Sequence, residues 1–212
     1  MSIKTILFDL DGTLIDTNEL IIASFTHTVK QYADRPYSRE EILNFIGPPL
    51  RDSLAKVNAG QVEAMVTTYR EHNVANHDRF VTAYDGVVDT IKELKSKGYR
   101  LGIVTTKMRH TVQMGLELTG LDGLFEVVVT LDDVKHAKPN PEPVLKAMNQ
   151  LDGRPEQTLM VGDNTHDIEG GKNAGTLTAG VAWTIKGREV LEELEPDFML
   201  AQMNDLLDIV GG

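Results

Sequence analysis

IKTILFDLDGT, residues 3–13, is the stretch that decides the fold. Residues 3–8 form a largely apolar run typical of a buried strand, and the run stops at Asp9 and Asp11. Extended backbone places residues i and i+2 on the same side, so the two carboxylates point the same way. Like charges repel, and the pair is stable if a cation lies between them or one carboxyl holds a proton. The stretch therefore predicts a metal site, an acid/base pair or both, and the alternative is a capped turn with solvated aspartates.

The composition narrows the class of protein. The chain has 212 residues, enough for one large domain or two small ones, and a net charge of −11. That charge argues against nucleic acid or an anionic membrane as a partner. The chain contains no Cys, which excludes disulfides, thiolate catalysis and Cys-ligated zinc. We expect a cytoplasmic protein with no signal peptide and no membrane-spanning segment.

Apolar runs alternate with helical patterns from Tyr84 onwards. This alternation predicts an α/β fold, a Rossmann-like, mostly parallel sheet flanked by helices, which the N-terminal strand joins. The predicted strands after the first lie near residues 101–105, 125–130, 158–161, 177–182 and 198–200.

A helical block interrupts this pattern after the first strand. We expect no strand between Leu14 and Phe80, and a capping box at Ser38–Glu41 predicts the start of one of the helices. The predicted organisation is a core of residues 1–14 and 83–212 with an inserted all-helical cap domain, residues 15–82.

Polar side chains follow four of the predicted strands. Because ligands bind beyond the carboxyl ends of the strands in open parallel sheets, these side chains should share one site. Hydroxyl and ammonium groups hold phosphate oxygens, and clustered carboxylates hold a hard cation such as Mg²⁺. The candidates are Asp9, Asp11, Thr105, Thr106, Lys138, Asp163 and Asp167.

Four short segments resemble, in order and spacing, the four motifs of the haloacid dehalogenase superfamily. They are Asp9-Leu10-Asp11-Gly12-Thr13, Thr105, Lys138, and Gly162-Asp163 with Asp167. The helical block resembles that superfamily's type I cap. The second acid, Asp11, favours a phosphohydrolase, since the dehalogenase branch lacks it. The segments around residues 16–28, 45–48 and 183–188 are similar to the pyrophosphatase and phosphoglycolate phosphatase branches.

The resemblance and the chemistry imply the same roles. Asp9 is expected to attack phosphorus and form an aspartyl phosphate, while Asp11 protonates the leaving oxygen and then activates water. Lys138 and Mg²⁺ would offset the phosphoryl charge, and Thr105 would hydrogen-bond a phosphoryl oxygen.

The metal ligands implied are Asp9, Asp163 and the backbone carbonyl of Asp11. Asp167 would bind the ion through water or orient Lys138, and its alternative is the N-cap of the next helix. The remaining candidates concern the substrate.

Gly12 would let a phosphate approach the backbone or is a plain turn glycine. Thr106 is a candidate positioning group, and Arg51 is a candidate contact to a second phosphate or a carboxylate. Lys107 and Arg109 are either groups that attract an anion or ordinary surface charges.

The expected function is a Mg²⁺-dependent phosphohydrolase that acts on a small phosphorylated substrate. Inorganic pyrophosphate is the first candidate by resemblance, and phosphoglycolate or another small monoester is the alternative. A non-catalytic sensor would lack Asp9 or Asp11, and a sugar-phosphate mutase would need sugar-binding groups in the cap. Nothing in the sequence indicates an oligomeric state.

Overall fold

The computed structural model describes residues 2–211. The chain divides into two compact units: the larger contains the chain up to Asp16 and from Thr82 onwards, and the smaller is residues 17–81. In chain order the elements are β1 (Thr5–Phe8), β2 (Ile15–Asp16), α1 (Asn18–Tyr32), α2 (Arg39–Leu43), α3 (Leu50–Asn58), α4 (Val62–Phe80), β3 (Thr82–Ala83), α5 (Val87–Ser96), β4 (Arg100–Val104), α6 (Arg109–Thr119), β5 (Val127–Val129), α7 (Glu142–Gln150), β6 (Thr158–Gly162), α8 (Thr165–Asn173), β7 (Leu177–Val181), α9 (Arg188–Glu192), β8 (Phe198–Leu200) and α10 (Asp205–Gly211).

The larger unit is built on a six-stranded sheet in the order β5-β4-β1-β6-β7-β8. Every pairing in this sheet is parallel, and β1 lies between β4 and β6. All four residues of β1 are buried, as expected of a strand covered on both faces by helices. The predicted α/β fold with a mostly parallel sheet is confirmed.

The core on one side of the sheet joins β1, β4, β5 and β6 to α7. Leu7, Val104 and Met160 are fully buried there, and Val144 and Ala147 of α7 pack against the same cluster. Burying a side chain of this size contributes roughly 1.5–3 kcal/mol, so the cluster fixes the strand ends that carry the site.

A second, two-stranded sheet separates the units along the chain. Ile15 pairs with Ala83 and Asp16 with Thr82 in antiparallel register. The expectation of no strand after Leu14 is therefore wrong for β2, because two residues are too short to leave a periodic pattern. Ile15, Asp16 and Thr82 consequently belong to the larger unit.

The smaller unit contains the four helices α1–α4. The ring of Phe25 in α1 lies 5.4 Å from that of Phe45 and 4.8 Å from that of Tyr69, measured between centroids. The predicted capping box is confirmed: Ser38 N donates to Glu41 Oε2 at 2.8 Å and Glu41 N donates to Ser38 Oγ at 3.2 Å. Among residues 2–211, none of the helices combines the length and apolar character that crossing a bilayer requires.

Candidate active site

Three buried carboxylates meet at the carboxyl edge of the sheet. Asp9 directly follows β1, Asp163 directly follows β6, and Asp167 lies in the first turn of α8. One oxygen of each lies within 4.8 Å of the others, and the three residues are between 2% and 8% exposed. Adjacent parallel strands place their ends side by side, which is why residues far apart in sequence converge here.

Lys138 neutralises part of this charge. Its ammonium donates to Asp9 Oδ1 at 2.7 Å and to the Val104 carbonyl at 2.7 Å, and it lies 2.6 Å from Asp167 Oδ1. An ammonium has three N–H donors, and these three acceptors use all of them. Lys138 is therefore a buried cation fixed between two carboxylates.

Asp167 is held from two directions. Its Oδ2 accepts a hydrogen bond of 2.9 Å from Asn164 N, as the acidic member of a capping box at the start of α8, and Oδ1 pairs with Lys138. Asn164, whose side chain accepts from His166 N, is the N-cap, so the alternative that Asp167 is the N-cap residue is wrong. The helix consequently starts at Thr165.

The electrostatics of the cluster favour an added cation. Burial, together with the charges of Asp167 and Asp11, raises the pKa of Asp9 to about 7, although Lys138 opposes the shift. Burial, together with the charges of Asp167 and Asp9, raises the pKa of Asp163 well above its ordinary value, against the charges of Lys138 and Lys186. Burial lowers the pKa of Lys138, but Asp167 and Asp9 outweigh it and the net shift is upward. When all three carboxyl groups are ionised, the one ammonium leaves two negative charges, which a divalent ion would balance.

Two glycines allow the acids to approach one another. Gly12 has φ +82°, and a Cβ there would overlap the carboxylate of Asp163. Gly162 ends β6, and a Cβ there would overlap the side chain of Asp167. Close approach of side chains to the backbone is therefore the structural reason for glycine at both positions.

Three hydroxyl residues lie at or beside the cluster. Thr105, buried after β4, accepts a hydrogen bond of 3.2 Å on Oγ1 from Lys107 N, so its own hydrogen can serve another acceptor. Thr106 follows it and is half-buried. Thr13 Oγ1 donates to Asp163 Oδ1 at 3.4 Å, a contact that no local sequence pattern indicates because Thr13 is separated from Asp163 by most of the chain.

The structure distinguishes Lys107 from Arg109, which the sequence alone leaves equivalent. Lys107 Nζ lies 2.6 Å from Asp11 Oδ1, and both side chains are largely shielded from water. Arg109 is exposed and pairs with Asp133 instead. Of the two bases, Lys107 is the one that joins the predicted site.

Arg51, the candidate in the helical unit, lies in the first turn of α3. Its Nε and Nη2 each lie 2.8 Å from the carboxylate of Glu63 in α4, and both side chains are exposed. Its guanidinium is thus committed to an ion pair within its own unit.

Comparisons with known proteins agree with this geometry. A family model described as haloacid dehalogenase-like hydrolase matches residues 6–181. Pyrophosphatase PpaX of Anoxybacillus flavithermus is 61% identical over 211 residues, which cover 100% of this chain and 98% of the relative. A PpaX of Bacillus cereus is 59% identical over the same length and coverage.

Solved structures share the fold over almost the whole chain. A haloacid dehalogenase-like family hydrolase of Streptococcus pneumoniae superposes with a TM-score of 0.86 at 27% identity, covering 98% of each chain. A predicted phosphoglycolate phosphatase of Haemophilus somnus gives a TM-score of 0.88 at 24% identity, covering 99% of this chain and 98% of the other, and shows likeness of fold alone.

Proposed function

This chain belongs to the haloacid dehalogenase-like hydrolase family, and on that premise we propose that it is a Mg²⁺-dependent inorganic pyrophosphatase. The observation that carries the proposal is the buried cluster of Asp9, Asp163 and Asp167 around Lys138. The identity of about 60% to pyrophosphatases over the full length supports the choice of substrate.

The donor set fits a hard divalent cation. Carboxylate oxygens are the ligands that Mg²⁺ prefers, and the cluster carries an excess of buried negative charge. Asp9, Asp163 and the backbone carbonyl of Asp11 would hold the ion. When bound, Mg²⁺ supplies charge neutralisation and polarisation of the phosphoryl oxygens. Asp167 would instead orient Lys138, in keeping with its two hydrogen-bonded oxygens.

In the first step a carboxylate oxygen of Asp9 forms a bond to one phosphorus of pyrophosphate. The bond from that phosphorus to the bridging oxygen breaks, and its electron pair stays on the departing phosphate, which takes a proton from Asp11. Lys138 and the hydroxyl of Thr105 stabilise the charge on the transferred phosphoryl group. Gly12, whose missing Cβ leaves room for the Asp163 carboxylate, brings that acid close to the backbone after β1.

In the second step water attacks the phosphorus of the aspartyl phosphate. Asp11, now a carboxylate, accepts a proton from the water, and the bond between phosphorus and Asp9 breaks. Two phosphates leave and both carboxyl groups return to their starting forms.

The test compares initial rates of phosphate release from pyrophosphate, 2-phosphoglycolate and p-nitrophenyl phosphate in the presence of Mg²⁺. We expect the highest kcat/KM with pyrophosphate, and Asp9→Asn should abolish release from all three. A higher kcat/KM with phosphoglycolate would replace the substrate proposed here but keep the hydrolase. Equal release by Asp9→Asn and the unmodified protein would remove Asp9 as the nucleophile.

A further inference from the structure

Lys107 is a second lysine at the site, and the mechanism above does not use it. It extends from the segment after β4 to the loop after β1, and its ammonium lies 2.6 Å from Asp11 Oδ1. The Lys107 side chain is 11% exposed and that of Asp11 is 21% exposed. The pair is therefore shielded from most of the solvent that weakens surface ion pairs.

The backbone on both sides of this side chain is anchored. Lys107 N donates to Thr105 Oγ1 at 3.2 Å, and the Lys107 carbonyl accepts from Leu131 N at 3.1 Å. The backbone that carries the ammonium is thus held by the end of β4 and by the segment that follows β5.

Lys138 and Lys107 differ in the number of N–H donors that remain for a further hydrogen bond. The three donors of Lys138 already meet Asp9, Asp167 and the Val104 carbonyl. Lys107 uses one N–H donor for Asp11, which leaves two N–H donors for a second acceptor.

The position of Lys107 beside Asp11 indicates which part of the substrate could be its second acceptor. Asp11 is the group that delivers a proton to the leaving oxygen, so the leaving group must lie next to Asp11 when the bond breaks. Because Lys107 Nζ lies 2.6 Å from Asp11 Oδ1, the portion of the substrate that departs with that oxygen would come near the ammonium. A negatively charged leaving group gains an ion pair there, whereas a neutral alcohol gains none.

We propose that Lys107 is a specificity-determining residue that binds the negatively charged leaving group, and so favours pyrophosphate over esters of neutral alcohols. The inference rests on the proposed function to the extent that Asp11 marks the side on which the leaving group departs. The ligand chemistry is a phosphate or a carboxylate on the departing portion of the substrate.

The experiment compares Lys107→Gln with the unmodified protein on three substrates. Pyrophosphate releases phosphate, 2-phosphoglycolate releases a carboxylate-bearing alcohol, and ethyl phosphate releases a neutral alcohol that still needs a proton. Loss of a charge-assisted contact should lower kcat/KM for the two anionic leaving groups by about 10- to 100-fold. The kcat/KM for ethyl phosphate should stay within about threefold, because Asp11 remains in place.

Arg109→Gln is the matched control, since it removes one positive charge two residues along the chain from Lys107, on a side chain that pairs with Asp133 and not with Asp11. It should leave the ratio between anionic and neutral leaving groups unchanged. Lys107→Arg keeps the charge and should keep most of the preference. Should Lys107→Gln fail to fold, Lys107→Met preserves the aliphatic stem and serves for the same comparison.

An equal loss on all three substrates would overturn the proposal, because Lys107 would then only hold Asp11 in position. No loss on any substrate, or the same loss in Arg109→Gln, would also overturn it. If the unmodified protein does not cleave pyrophosphate, the proposed pyrophosphatase function fails, while the ratio between phosphoglycolate and ethyl phosphate still tests Lys107.

Discussion

Replacement of Gly162 by alanine should disrupt the acid cluster from its backbone side. The added Cβ would overlap the Cβ and the carboxyl group of Asp167. Asp167 has little freedom to move, because Oδ1 lies 2.6 Å from Lys138 Nζ and Oδ2 accepts from Asn164 N at 2.9 Å. Either the end of β6 shifts or Asp167 gives up its contacts.

The costs of the two responses set the range expected for the loss in free energy of unfolding. Overpacking a close-packed interior costs about 1–3 kcal/mol. Losing one hydrogen bond to a charged, buried group costs about 1.5–3 kcal/mol. We therefore expect Gly162→Ala to lower the free energy of unfolding by about 3 kcal/mol, which for a chain of this size corresponds to a fall in Tm of about 6–12 °C.

Gly180→Ala is the matched control. Gly180 is the register partner of Gly162 on β7, and its added Cβ would meet mainly the sulfur of Met199, the end of a flexible side chain. That substitution should cost about 1 kcal/mol or less.

The assay has two parts. Thermal unfolding in EDTA and in MgCl₂ measures stability and metal binding, and phosphate release at increasing Mg²⁺ measures the apparent affinity for the ion. Gly162→Ala should need more Mg²⁺ for half-maximal rate, whereas Gly180→Ala should not. Equal Tm values and equal Mg²⁺ requirements for the two variants would refute the role assigned to the space beside Gly162.

Three further outcomes follow from the geometry. Lys138→Met should lower kcat/KM by at least about a hundredfold, because it removes a buried cation from the reacting group; phosphate release within tenfold of the unmodified protein would contradict this. In EDTA, Tm should fall as the pH rises from 3.8 to about 7, because the folded state holds a proton on Asp9 that the unfolded state releases. Added Mg²⁺ should raise Tm more near pH 7 than near pH 4, since the ion competes with that proton. Asp9→Asn should flatten both trends, and an unchanged profile would show that Asp9 is not their source. Burial, with the nearby charge of His27, lowers the pKa of His72 from 6.5, so stability should be lost as the pH falls below 6.5. His72→Gln should weaken that loss, and parallel unfolding curves for the two proteins would contradict the assignment.

The residues that sequence reasoning predicted best are those that end buried strands. Asp9 and Asp163 each follow an apolar run that becomes a fully buried strand, and parallel topology then forces their meeting. The local pattern of apolar residues thus contained both the fold and the convergence of the acids. Family membership, predicted from the same motifs, is confirmed by the match over residues 6–181.

The contacts that the sequence did not predict depend on the direction of side chains and on pairings between residues far apart in the chain. Lys107 and Arg109 are both basic and lie two residues apart, yet one pairs with Asp11 and the other with Asp133. The difference arises because α6 starts at Arg109, and this helix start sets which way each side chain leaves the backbone. Hydrophobic periodicity carries no information about that choice.

The contact of Thr13 with Asp163 is a similar case, since it joins residues 150 positions apart. Long separations of this kind are set by the pairing of β1 with β6, which the sequence does not state directly.

The pairing of β2 with β3 has a practical consequence for anyone who wishes to rebuild this molecule. Ile15 and Ala83 are register partners, so the chain leaves and re-enters the sheet-containing unit at adjacent points. A graft made at these two strands has only to close a short gap, and the entropy of closing a loop grows slowly with its length. Residues 17–81 are therefore the segment that a designer would exchange for a shorter turn or a foreign domain, because both junctions then fall at paired strands of the larger unit.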